Sequence, residues 1–72
     1  MNLIEGLSRE ISRVQQLKTR YEELRITLGS QVIVEPQIYL MNLAIERGQA
    51  AIGSGDVERM MRAVQELKGY EE

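Results

Sequence analysis

The sequence predicts an all-α protein: a long N-terminal helix followed by an antiparallel helical hairpin, a small three-helix assembly expected to be oligomeric. Three observations predict it. Apolar residues recur at three- and four-residue steps through most of the chain, which is the period of a helix face. Gly29 with Pro36, and Gly-Ser-Gly-Asp at 53–56, interrupt that pattern at two places. Finally, a chain of 72 residues buries only about 60% of the surface its unfolded form exposes. It contains no cysteine and no histidine, so neither a disulfide nor the usual zinc ligand sets can reinforce it. Oligomerisation is the remaining reinforcement.

Helix 1 is expected over about 2–28, with Asn2 as N-cap. With Leu7, Val14, Tyr21 and Leu28 as heptad a, Leu3, Leu17 and Leu24 fall at d, Glu10 is the defect and Ile11 beside it the substitute. Gly6 costs about 1 kcal/mol relative to alanine inside a helix and predicts fraying of the first turn. Gly29 supplies the stop. A connector over 29–35 carries the β-branched run Val32, Ile33 and Val34. That run either tucks over the end of its own bundle or packs at an interface between subunits.

Helix 2 is expected over about 36–52, opened by Pro36, whose fixed φ suits a first helical turn. Ile38, Met41, Ile45, Gly48 and Ile52 share one face, while Tyr39, Leu40, Leu43, Ala44 and Ala51 spread apolar surface around the rest. Such a helix is covered on more than one side, so Tyr39, Leu40 and Leu43 join the connector run as candidate oligomer or partner interface. Ala44, Gly48 and Ala51 are small enough to admit a neighbouring backbone. Helix 3 is expected over about 56–68, capped by Asp56 or Ser54, with Val57, Met60, Met61, Val64 and Leu67 as its inner stripe and Gly69 as its end. Helix 1, at about 1.5 Å per residue, is too long for these partners to cover its far end.

In the heptad register, Arg13 and Arg20 stand at g and Lys18 and Arg25 at e. All four flank the seam, and self-pairing of helix 1 in either direction would bring like charges together. Helices 2 and 3 offer no obvious acidic border. The rim of Arg13, Lys18, Arg20 and Arg25, with Tyr21 among them, is therefore a candidate site for an anionic ligand or an acidic protein surface. The alternative is a solvated face in which Glu5 reaches Arg9, Lys18 reaches Glu22, and Arg20 and Arg25 reach Glu23 and Glu22.

Catalysis has little to stand on. There is no histidine or thiol, no cluster suited to a metal, and no serine in an activating context. The expectation is a non-enzyme with no cofactor and no metal. Glu5, Arg9, Glu10 and Arg13 break up the opening segment, so neither a signal peptide nor a membrane span is expected and the chain reads as cytoplasmic. A net charge of -2 makes direct binding of duplex nucleic acid improbable.

Asn2, Leu3, Ile4 and Leu7 at the start, with Gly55, Asp56, Val57, Met60, Arg62, Ala63, Leu67 and Lys68 near the end, resemble a group of short helical proteins encoded in bacteriophages and prophages. The resemblance covers about half the chain. It departs in the middle, where those proteins carry a glycine-rich connector in place of Ser-Gln-Val-Ile-Val-Glu-Pro, and at Val64, where an aromatic residue is frequent. The resemblance implies an accessory protein that acts by occupancy. One implied partner is a host defence or regulatory protein that it inhibits; another is a small anionic signalling nucleotide, sequestered by an oligomeric sponge; a structural or assembly role in the phage is a third.

Overall fold

The computed structural model describes residues 2–29 and 35–70. The connector run Val32, Ile33 and Val34 lies outside the described residues. Three helices account for nearly all of the rest: α1 (Leu3–Leu28), α2 (Glu35–Ser54) and α3 (Val57–Lys68). The all-helical class, the number of helices and their order follow the sequence expectation, and each helix packs on both of the others.

Caps set the boundaries. The Asn2 side chain accepts the Glu5 N–H at 2.8 Å, satisfying one of the donors that a helix start leaves free. Gly6 is helical in this turn, its N–H donating to the Asn2 carbonyl at 3.1 Å. At the other end Gly29 takes a positive φ of 60° while its N–H still bonds to the Arg25 carbonyl. Between α2 and α3 the break falls later than the sequence suggests. Gly53 and Ser54 continue the helix, Ser54 Oγ donates to the Ala51 carbonyl at 2.7 Å, and the chain turns only at Gly55, with φ at 71°. Asp56, not Ser54, then caps α3, accepting from the Glu58 and Arg59 N–H groups.

The helices pack with α1 and α3 parallel and α2 antiparallel to both. Arg25 meets Glu35, Lys18 meets Asn42, and Ile11 meets Gly48 along the α1–α2 seam. Arg13 reaches the end of α3. The core comprises Leu7, Ile11, Val14 and Leu17 of α1, Met41, Ala44, Ile45 and Ala51 of α2, and Met60, Ala63 and Leu67 of α3. Ile11 is buried, as the substitute for the defect at Glu10 should be. Small residues bring the backbones together: a Cβ on Gly48 would stand 3.1 Å from two Ile11 carbons.

The expected inner stripe of α3 needs correction. Met60 and Leu67 are buried, but Val57 and Met61 are 59% and 53% exposed. At 100° per residue the stripe centres on Met60, Ala63 and Leu67, and Val57 and Met61 lie to one side of it. The sequence weighted them by size, whereas packing places the small Ala63 at the contact.

At about 1.5 Å per residue, α1 runs almost the full 41 Å of the molecule's long axis, whereas the 12 residues of α3 span about 18 Å. All α1 residues that are fully buried lie between Leu7 and Leu17. Beyond that point, among the described residues, α1 is accompanied by α2 alone. No described helix is long and apolar enough to cross a membrane.

Candidate functional site

The basic rim of α1 is drawn into the fold unevenly. Arg13 donates from Nε to Glu10 Oε2 at 2.8 Å, from Nη1 to the Tyr70 carbonyl at 2.6 Å and from Nη2 to the Leu67 carbonyl at 2.8 Å. These carbonyls belong to the last turn of α3 and the residues after it, where orphan acceptors and the negative end of the helix dipole favour a cation. Arg13 is thus a clamp that locks α3 onto α1. Lys18 Nζ donates to Asn42 Oδ1 at 3.2 Å, and Arg25 pairs with Glu35 of α2 at 2.9 Å. Arg20 is exposed and also interacts within the chain, and Tyr21 is half-buried against the core.

The expectation that α2 and α3 offer the rim no acidic border is corrected at Glu35. Glu35, counted with the connector, is the first residue of α2, and the partners of Arg13 on α3 are backbone carbonyls, which no residue type announces. Lys18 and Arg25 bond across the helix seam rather than to Glu22 on their own helix.

Replacing Arg13 by Ala should cost about 1–2 kcal/mol. Hydrogen bonds to charged groups contribute about 1.5–3 kcal/mol, reduced here because the side chain is 40% exposed. Arg13→Lys should recover less than half of the loss, since an ammonium cannot hold two carbonyls and a carboxylate in one plane. Urea denaturation measures both, and an unchanged midpoint for Arg13→Ala would show that the clamp contributes nothing.

A different surface emerges from the mismatch in helix length. On α1, Leu3, Gly6 and Glu10 line the α1–α3 groove with Val64 and Lys68, and Arg13 bonds the end of α3. Steps of three and four residues carry the same line onward through Leu17, Tyr21, Leu24 and Leu28. On α2, Arg47 and Ala51 face α3, and Leu40 lies seven residues before Arg47 on the same line. Among the described residues, no third helix accompanies α1 and α2 past the last turn of α3. There Leu24, Leu28 and Leu40 are 43%, 42% and 46% exposed. Tyr39 is exposed beside Leu40, and Leu43 is half-buried.

No family model matches the chain, no curated protein matches it in sequence, and no solved structure matches its fold.

Of the residues singled out from sequence, Tyr21 is half-buried against the core, Leu43 is half-buried, and Tyr39 and Leu40 are exposed. Arg13 sits at the end of α3, and Lys18 and Arg25 bind on the α2 side of α1. Leu24 and Leu28 were missed as surface residues because the heptad assigned them to a seam. The signal for them was the same excess length of helix 1: a seam longer than its covering helix must open at one end.

Proposed function

We propose that this chain is a non-enzymatic binding protein that docks another protein's amphipathic helix in the open slot between α1 and α2. The carrying observation is that, among the described residues, no third helix accompanies α1 and α2 past the last turn of α3. A helix with apolar residues spaced as Met60, Ala63 and Leu67 are spaced already packs on both at one end, so the other end suits the same kind of insert, the helix-in-groove mode of recognition. Leu24, Leu28 and Leu40 would take the apolar side chains.

Within the accessory role that the phage and prophage resemblance implies, the docked helix would belong to a host defence or regulatory protein. The binding would act by occupancy. A sponge for anionic nucleotides built on Arg20, Tyr21 and Arg25 is less favoured at this place, because Tyr21 packs on the core.

A second copy of the chain is the competing occupant of the slot, as the homo-oligomeric expectation requires. Apart from the slot itself, its described helices offer exposed Ile4, Ile26, Val57 and Met61. Such a contact is head-to-tail and adds copies without closing unless the rotation happens to form a ring. A foreign helix fits better.

The test places a photo-crosslinking amino acid at Leu40 in one variant and at Gln65, on the exposed face of α3, in another. Expected is an adduct from position 40 alone, whose partner peptide is an amphipathic helix, and which disappears on Leu24→Asp. The purified partner should then perturb Leu24, Leu28 and Leu40 at one-to-one stoichiometry. Adducts at 40 that contain only this chain, with sedimentation showing a stable oligomer, would replace the foreign helix by a second copy.

A further inference from the structure

Beside α3, away from the half-open slot, lies a hollow between α2 and α3 of about 340 Å³, within the range of small-molecule sites, about 300–1,000 Å³. Its floor is made by the buried methyl groups of Ala51 and Ala63. Around it stand three guanidinium groups, those of Arg47, Arg59 and Arg62, and one carboxylate, that of Glu66. This concentration of positive charge occurs in a chain whose net charge is -2.

The three arginines are not equally occupied. Arg47 donates to Glu66 Oε2 at 2.6 Å and Arg62 to Glu58 Oε1 at 3.0 Å. The Arg62–Glu58 pair is largely exposed, so it is weak and an incoming anion can replace it; in the Arg47–Glu66 pair the arginine is exposed and the carboxylate half-buried. Arg59 is different. Its backbone N–H bonds to the Asp56 cap, but among the described residues its guanidinium has no hydrogen-bond or ion-pair partner. Arg59 and Arg62 sit three residues apart on α3, so they share a face, and Arg47 meets them from α2.

Guanidinium groups bind phosphate through paired N–H donors in a fixed fork, which suits them to a tetrahedral oxyanion better than to a single carboxylate oxygen. The alanine floor offers no hydrogen-bonding side chain and lets a flat or apolar body lie close against the helices. We propose that this hollow binds a small organic phosphate, its phosphate held by Arg59 and Arg62 with Arg47 opposite, and its remaining body resting on Ala51 and Ala63. The site shares no residue with the slot at Leu24, Leu28 and Leu40, so it stands or falls independently of the protein-docking reading.

The test is an NMR titration of the full chain with ADP and, separately, with inorganic pyrophosphate, at low and at high salt. Both probes should give saturable shifts at Ala51 and Ala63, with ADP the tighter because pyrophosphate cannot use the floor. Binding should weaken as salt rises. Arg59→Gln and Arg62→Gln should each lower affinity about tenfold, the effect of losing a charge-assisted bond, with the helical content and urea midpoint unchanged. Arg59→Lys should retain the charge and lose most of the affinity, since it lacks the fork. Absence of saturable shifts with both probes, or unchanged affinity in Arg59→Gln and Arg62→Gln, would overturn the site. Equal affinity for the two probes would overturn the role given to the alanine floor.

Discussion

Replacing Leu67 by Ala should leave most of the chain unfolded at 25 °C. Leu67 is one of the fully buried side chains, it comes from the shortest helix, and it faces both Gly48 and the end of α3 that Arg13 clamps. Truncating a buried leucine to alanine costs about 2–5 kcal/mol, and a single core in a chain this small supplies only about 3–5 kcal/mol. The two numbers meet, and no disulfide stands behind them. Circular dichroism with a urea titration reads the result directly. Val57→Ala, at an exposed position of the same helix, should change stability by no more than about 0.5 kcal/mol. If Leu67→Ala melts cooperatively within a few degrees of the parent, the core is not centred where α3 crosses Gly48.

Gly48 gives the second large effect, with different outcomes for two small substitutions. An added Cβ would lie 3.1 Å from both Ile11 Cγ1 and Cδ1 and 3.4 Å from Leu67 Cδ1. For Gly48→Ala the crowding falls on Cγ1 and Cδ1 of the buried, β-branched Ile11, which must give by a few tenths of an ångström; the gain of about 1 kcal/mol in helix propensity offsets that strain, so stability should stay near that of the parent. Gly48→Val adds two further methyl groups against the same neighbours with a stiff χ1. Overpacking of that kind costs about 1–3 kcal/mol, a large share of what this core supplies. Ile11→Ala in the Gly48→Val background should recover part of the loss, because the two residues contact and their effects are coupled. Equal stability of Gly48→Ala and Gly48→Val would mean that α1 and α2 separate freely at this crossing.

Much of the fold was legible because its signals are local. Asn2 and Asp56 announce helix starts through a side chain that reaches three residues along its own chain, and Gly29 and Gly55 announce ends through a positive φ that favours glycine. Periodicity located the α1 stripe and even the replacement of Glu10 by Ile11. Less legible was everything that depends on the rotation of one helix against another. Val57 and Met61 read as core by their size, yet α3 is turned so that Ala63 makes the contact. Arg13 reads as one of four rim cations, but its acceptors are carbonyls more than fifty residues away. Arg47, Arg59 and Arg62 are unremarkable along the sequence, and only the antiparallel pairing of α2 with α3 gathers them around one hollow.

The unequal lengths of α1 and α3 also set how firmly different parts of the same helix are held. Around Leu7, Ile11 and Val14 the backbone amides of α1 lie under two neighbouring helices, and exchanging their protons with solvent requires the core to come apart. Past Tyr21, among the described residues, the same helix is accompanied by α2 alone, with Leu24 and Leu28 exposed, and its amides should exchange through smaller, local openings. A single uninterrupted helix therefore carries a gradient of protection from one end to the other. An insert in the slot would flatten that gradient, so hydrogen exchange along α1 would register its arrival as slowed exchange at Leu24 and Leu28 well before any change in the helix content of the molecule.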